Sequence, residues 1–365
     1  MHWPRLLILC FSVALPLGAS ANNVSTVYGI SSTLTWDDNY RLDDNDKIDD
    51  LSLGARVFGE LQGGDETTKM RGGIGVGGAK HSASSVDNTE NYELYTGINQ
   101  DWERLDGSLD ISYNYAPTTQ TELLDTGDTR VDGTRKTLNI APGISYQLDE
   151  TNSVYSNFVY TDVRYDTVSL TNYTDNSVSL GWVHQLSETS NVSVNGSVSK
   201  YDPDDDSNTT ITSIYLGYGF SSSEVTQYDF SLGVSQSDGP SGTSEKANGS
   251  FQMTHGIDER NTFSLMFSNG YVPSGDGKVR YEKLLNLAWN HALAERTEFT
   301  LSATGLSNGD RDYGELLVGG SHKLTRDLSL AANYRYRTQH GGSVDGNSNS
   351  VLLTLSYSPA SESIY

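Results

Sequence analysis

Apolar and polar side chains alternate residue by residue over nearly the whole chain, and this restricts its fold more than any other feature. At 108–115 the order is Ser-Leu-Asp-Ile-Ser-Tyr-Asn-Tyr. Leu109, Ile111, Tyr113 and Tyr115 therefore share one face, and Ser108, Asp110, Ser112 and Asn114 the other. Val192, Val194 and Val198 stand against Asn191, Ser193, Asn195 and Ser197, and Tyr228, Phe230, Leu232 and Val234 against Gln227, Asp229, Ser231 and Gly233. Phe299, Leu301 and Ala303 oppose Thr300, Ser302 and Thr304 in the same way. A helix would place its apolar residues three and four apart. These are two apart, the period of a β-strand with one oily face.

Short polar turns punctuate the strands. Leu148-Asp-Glu-Thr-Asn, Leu186-Ser-Glu-Thr-Ser, Phe220-Ser-Ser-Ser-Glu, Ile257-Asp-Glu-Arg-Asn, Leu293-Ala-Glu-Arg-Thr and Leu324-Thr-Arg-Asp follow one another at intervals of 31–38 residues. Such an interval holds two strands, one tight turn and one longer loop. The longer connections fall at 116–133, 164–172, 202–208, 236–245, 272–279, 307–312 and 338–347, and are rich in Asp, Gly, Ser, Asn and Pro. Candidate strands lie near 24–36, 51–61, 68–79, 91–101, 107–115, 135–147, 153–162, 174–186, 191–200, 210–220, 227–235, 247–257, 262–269, 281–293, 298–306, 314–323, 328–337 and 350–358. These segments predict an all-β fold, a single transmembrane antiparallel β-barrel of about eighteen strands, or sixteen if the ends are read differently. An even count puts both termini on the periplasmic side, with short periplasmic turns and longer extracellular loops.

Composition fits this geometry. Mean hydropathy is -0.48 and large aliphatics are scarce. A soluble chain of this kind would bury too small a core, whereas a barrel needs only every second strand residue to face lipid. The first residues read as a cleavable secretory signal over 1–21, with Arg5, an apolar run from Leu6 to Leu17, and small residues at Ala19, Ser20 and Ala21. That leaves 22–365 as the barrel, delivered to a Gram-negative outer membrane after Sec export. The single cysteine, Cys10, lies inside the signal and lacks the small residues before it that lipidation needs. No disulfide then remains, and stability rests on hydrogen bonds and burial. A net charge of -23 excludes nucleic acid as a partner, since phosphates would be repelled. Outer-membrane lipid, lipopolysaccharide and the barrel-assembly machinery are the expected partners.

On strands descending into the tight turns, one position two residues before the turn is filled by Tyr146, His184, Tyr218, His255, His291 and His322, with Trp182 and Trp289 two residues further up. All lie on the apolar face, as an interfacial girdle would. The histidines sit on alternate strands, about 10 Å apart, too far to share one ion. No metal and no cofactor is expected. Tyr113, Tyr115, Tyr160, Tyr334 and Tyr336 would form the outer girdle. The opposite parity carries small polar residues, among them Ser177, Ser179, Asn248, Ser250 and Asn286. It also carries Arg56, Glu60, Asp110, Glu298, Glu315, Arg335 and Arg337, with Tyr155 and Tyr215 as scattered aromatics. These are the lumen candidates, and the charges either neutralise one another across the lumen or select a permeant. The histidines face lipid apart from His81 and His340, and no nucleophile elbow is present. No catalytic residue is assigned, and the chain is not read as an enzyme. Two acidic stretches, Asp37 to Asp50 and Asp202 to Asp206, read as solvated loops, with divalent-cation binding near lipopolysaccharide as the sharper alternative.

Certain motifs resemble the outer-membrane β-barrel proteins of exopolysaccharide and exosortase (PEP-CTERM) systems, the β-barrel porin 2 type. They are Trp36-Asp-Asp-Asn-Tyr-Arg-Leu42, Leu138-Asn-Ile-Ala-Pro-Gly-Ile-Ser-Tyr146, Tyr160-Thr-Asp-Val-Arg-Tyr165 and the repeated Leu-[Ser/Thr]-Glu turns. The chain departs from that pattern at its end. Leu353, Leu355 and Tyr357 supply the terminal-strand alternation, yet Ser358–Tyr365 trail beyond it, either as a periplasmic tail or as a longer strand ending on Tyr365. The resemblance implies an exopolysaccharide link. The residues themselves imply a channel for polysaccharide or small hydrophilic solutes. The alternatives are a non-conducting structural or adhesive surface barrel acting through its acidic loops, and a secreted all-β protein such as a solenoid.

Overall fold

The computed structural model describes residues 23–204, 207–342, 344–359 and 362–364. The secretory signal expected over 1–21 lies outside the described residues. Eighteen long strands follow in chain order: β1 (Asn23–Asp37), β2 (Asp50–Gly64), β3 (Thr68–His81), β4 (Thr89–Asp101), β5 (Leu105–Pro117), β6 (Thr134–Gln147), β7 (Asn152–Tyr165), β8 (Tyr173–Ser187), β9 (Ser190–Pro203), β10 (Thr209–Ser223), β11 (Thr226–Gly239), β12 (Gly242–Asp258), β13 (Asn261–Pro273), β14 (Val279–Ala294), β15 (Thr297–Ser307), β16 (Arg311–Lys323), β17 (Leu328–Gly341) and β18 (Gly346–Tyr357). A single helical turn, α1 (Thr118–Thr121), lies between β5 and β6, and a short β19 (Glu362–Ile364) follows β18.

Each of the eighteen long strands pairs antiparallel with its sequence neighbours among them. The sheet closes where β1 pairs with β18, from Ile30↔Tyr357 to Asp37↔Ser350. Closure removes the open edges that hydrocarbon would not tolerate. The tail resolves into β19, which pairs with the foot of β1 from Val24↔Ile364 to Thr26↔Glu362. Tyr365 lies outside the described residues.

The parity read from sequence sets the two faces. Leu53, Val57, Leu180, Leu216 and Leu232 are exposed on the outside, and no residue covers them because lipid does. Tyr146, Trp182 and Tyr218 stand exposed on that same face near the tight turns. Four histidines at this level each contact the first polar residue of the strand they pair with. His184 Nδ1 meets Asn152 Oδ1 at 3.0 Å, His255 Nδ1 meets Thr226 Oγ1 at 2.7 Å, His291 Nδ1 meets Asn261 Oδ1 at 2.6 Å and His322 Nδ1 meets Thr297 Oγ1 at 2.8 Å. Trp182 stacks on His184 and Trp289 on His291, each with 5.7 Å between ring centres. The recurring turns also have a local cause. Asp149 Oδ1 accepts from the backbone N–H groups of Thr151 and Asn152 at 2.9 Å each, which holds its carboxyl down at about 2. Asp65 and Asp258 start their turns in the same way.

Two expectations need correction. The stretch 236–245 is not a long loop, since β11 and β12 run on to a tight hairpin closed by the pair Gly239↔Gly242. The acidic stretch after Asp37 is solvated only in part. Leu42 and Asn39 are fully buried and Asp37, Asp43 and Asp50 are buried, whereas Asp44, Asp46 and Asp49 are exposed. This segment folds into the barrel mouth.

Candidate functional site

The lumen has two unlike walls. On the first, Gly73, Gly75 and Gly77 clear the inner face of β3, and side chains from β2 and β4 lie across it. A Cβ at Gly73 would collide with the Tyr95 ring, and one at Gly75 would meet the Arg56 guanidinium and the Glu93 carboxylate. Arg56 donates to Glu93 at 2.5 Å, Arg71 donates to Asp110 at 3.0 Å, and the Tyr95 hydroxyl donates to Glu60. The side chains of Arg71 and Asp110 are 58% and 50% exposed although they point inward, so open space exists inside the barrel at this level. The sequence left two readings of the inward charges, neutralisation across the lumen or selection of a permeant. Arg56 pairs with Glu93 and Asp110 with Arg71 along one wall, because alternate strands stand only about 10 Å apart and glycine lets a long side chain span that gap.

The second wall, over β7 to β12, is uncharged along the row from Tyr155 to Asn248. Tyr155 leans over Gly181 and donates to Asn195 Oδ1. Ser213 and Ser235 hydroxyls are 2.7 Å apart, as are those of Ser231 and Ser250, and Asn248 Nδ2 donates to Ser235 Oγ at 2.6 Å. Tyr215 stands beside Asn195 in register.

Two loops close over the mouth. The loop 118–133, which starts with α1, spans the lumen. Arg311 of β16 donates to its carbonyls at Leu123 (2.6 Å), Leu124 (2.9 Å) and Asp125 (3.2 Å). Gln339 of β17 donates to Gly127 O at 2.8 Å, and Gly275 N to Asp125 Oδ1 at 3.1 Å. The loop 38–49 meets it there. Leu42 takes a left-handed φ of 56°, which is uncommon for a branched side chain. Its side chain packs with Leu123, Leu306 and Tyr313. A second apolar cluster, Val163, Tyr165, Leu170, Tyr173 and Tyr201, seals the β7–β9 side.

Glu122 sits at the centre of this plug, fully buried. Arg135 Nη1 lies 3.4 Å from its Oε1, and the Tyr165 hydroxyl donates to the same oxygen at 3.1 Å. Burial outweighs these partners, and with the nearby Asp125 carboxylate it raises the Glu122 carboxyl to about 7.

Of the sequence-derived lumen candidates, Arg56, Glu60, Asp110, Tyr155 and Tyr215 lie at mid-depth. Glu298 is exposed near the periplasmic end. Glu315, Arg335 and Arg337 belong to the mouth. Arg337 donates to Asp37 Oδ2 at 2.7 Å with its side chain 8% exposed, and Ser348 and Ser350 donate to the same carboxylate. Tyr313 donates to Glu315 at 2.9 Å. Asp37 is thus held by protein donors at the barrel seam. Sequence reasoning missed Arg71, Glu93 and Tyr95, although their parity marks them as inward. It also missed Glu122, Arg135 and Arg311, for which no periodic signal exists. Among the described residues, no group of three His, Cys, Asp or Glu is arranged to hold a metal ion.

A closed, eighteen-stranded, antiparallel barrel with lipid-facing aromatic belts, a polar interior and an infolded loop is the architecture of outer-membrane porins. No family model and no curated protein matches the chain. Solved structures do resemble it. OccAB4 of Acinetobacter baumannii aligns with a TM-score of 0.50 at 9% identity, over 94% of this chain and 100% of that one. OccK5 (OpdH) of Pseudomonas aeruginosa gives 0.50 at 9% identity over 95% and 100%. OpdK of Pseudomonas aeruginosa, solved with vanillate, gives 0.50 at 11% identity over 94% and 100%. At such identities the likeness is one of fold.

Proposed function

We propose that this chain is an outer-membrane channel for small hydrophilic solutes, working in a Gram-negative outer membrane after Sec export and removal of residues 1–21. One observation carries the reading. Paired charges at mid-depth, Arg56 with Glu93 and Arg71 with Asp110, point inward and remain about half exposed, so the interior is polar and open there. A packed barrel core would have buried them. The aromatic belts suit outer-membrane lipid and lipopolysaccharide as surroundings, and the β18 alternation of Leu353, Leu355 and Tyr357 suits recognition by the barrel-assembly machinery. A link to exopolysaccharide export draws on the motifs of the β-barrel porin 2 type and on the uncharged wall.

Single-channel recording in planar bilayers tests this reading, which expects discrete conductance steps. A second reading has its own support in the infolded loops 38–49 and 118–133, which suit a non-conducting surface barrel acting through its exterior. That reading gains if neither the native barrel nor an Arg311→Ala variant, whose plug is untethered, conducts.

A further inference from the structure

The register of the uncharged wall places like groups side by side. Ser179 of β8, Ser197 of β9, Ser213 of β10 and Ser235 of β11 are direct cross-strand partners in succession. They form a row of four serines on strands about 4.8 Å apart, and the Ser213 and Ser235 hydroxyls meet at 2.7 Å. The adjoining row, two residues deeper into the barrel, runs Tyr155, Gly181, Asn195, Tyr215, Gly233, Asn248. Here aromatic rings and amides alternate, and the two glycines leave room beside them. A Cβ at Gly181 would strike Tyr155 and Asn195, and one at Gly233 would strike Tyr215.

We propose that these two rows form a binding strip for neutral sugars. The inference rests on the channel reading for access and adds the substrate class. Serine hydroxyls and asparagine amides both donate and accept, as sugar hydroxyls do. Tyrosine offers an apolar ring with a polar end, suited to the C–H face of a pyranose. Neither row carries a charge, and the serine row gives way to a cation only beyond Ser235, at Lys246 of β12. On the other wall Arg56 and Arg71 are paired with Glu93 and Asp110, which weakens the field that these charges set up across the lumen.

A second observation points to a ligand. Asn248 is 9% exposed, and its Nδ2 donates to Ser235, yet its Oδ1 has no hydrogen-bond partner. A buried acceptor left alone is costly, and a sugar hydroxyl would supply the missing donor.

The test uses the full barrel, refolded in detergent and checked for heat-modifiable migration, with maltohexaose as the probe. Binding is measured by calorimetry, and block of current in planar bilayers. Saturable binding and saturable block are expected from the native barrel. Tyr215→Ala and Asn248→Ala should each weaken both by about tenfold, the weight of one ring contact or one buried hydrogen bond. Tyr215→Phe, which keeps the ring, should retain most of the affinity. If an alanine variant does not fold, Ser213→Val, similar in volume but without the hydroxyl, takes its place with the same expectation. Folded variants that bind like the native barrel overturn the strip. A native barrel that conducts but neither binds nor is blocked also overturns it, and leaves the channel standing. Binding without conductance leaves the strip standing and overturns the channel.

Discussion

Arginines occur both at the mouth of this barrel and at its waist, and they behave differently in the two places. Arg311 and Arg337 at the mouth are buried, and they hold backbone carbonyls of an infolded loop and the Asp37 carboxylate. Arg56 and Arg71 at the waist are about half exposed and pair with carboxylates two strands away on the same wall. Removing a buried charge from its partners leaves desolvated groups unsatisfied, whereas an exposed pair can exchange its partner for water. The mouth arginines therefore act on architecture and the waist arginines on the field that a solute meets. The mouth is also where polar satisfaction is incomplete. Glu122 Oε2, Arg311 Nε, Arg337 Nε and Gln339 Oε1 are buried without partners.

The largest expected effect is at Arg311. Arg311→Ala removes three hydrogen bonds to the 118–133 carbonyls and should cost the plug about 3 kcal/mol. Hydrogen exchange at Glu122 and Gly127 should accelerate, with higher conductance in planar bilayers; unchanged exchange would erase the contrast between mouth and waist. Asp37→Ala comes next. It strands the buried Arg337 and releases two serine hydroxyls at the β1–β18 seam, so the temperature of the heat-modifiable transition should fall by an amount matching about 2–3 kcal/mol.

Glu122 gives the mouth a pH dependence. Its carboxyl is raised from the ordinary 4.5 to about 7, so its contribution to the plug is fully present below pH 4.5 and is lost as pH rises through about 7. Exchange in the loop should quicken over that window, and Glu122→Gln should flatten the profile. A flat profile in the native barrel would remove Glu122 from the account.

The smallest change in stability belongs to the waist. Glu93→Gln with Asp110→Asn should shift stability by less than about 1 kcal/mol, but it frees two lumen cations. The reversal potential in a salt gradient should then move toward the anion value. A loss of stability as large as that of Arg311→Ala would show that the waist pairs are structural as well.

The strand count and the assignment of faces could be read from the sequence because they are local. In a strand, neighbouring side chains point to opposite sides wherever the strand lies, so Leu109 and Asp110 reveal the two faces without any knowledge of their neighbours. The turns are equally local, since the Asp149 carboxylate caps amides two and three residues on. The hairpin at Gly239–Gly242 was misread because Gly, Pro and Ser are common to tight turns and long loops alike.

The alternation alone determined that this chain forms a wall with lipid on one side and water on the other. Only the tertiary structure decided what occupies the interior. Inward parity names Arg56 and Glu93 as lumen residues but cannot say that glycines between them let the pair meet. Leu42 and Leu123 are single apolar residues in polar loops, and they gain an apolar setting only from Leu306 and Tyr313 on the far wall. Such contacts depend on closing the ring, which brings together segments far apart in the chain that no sequence period connects.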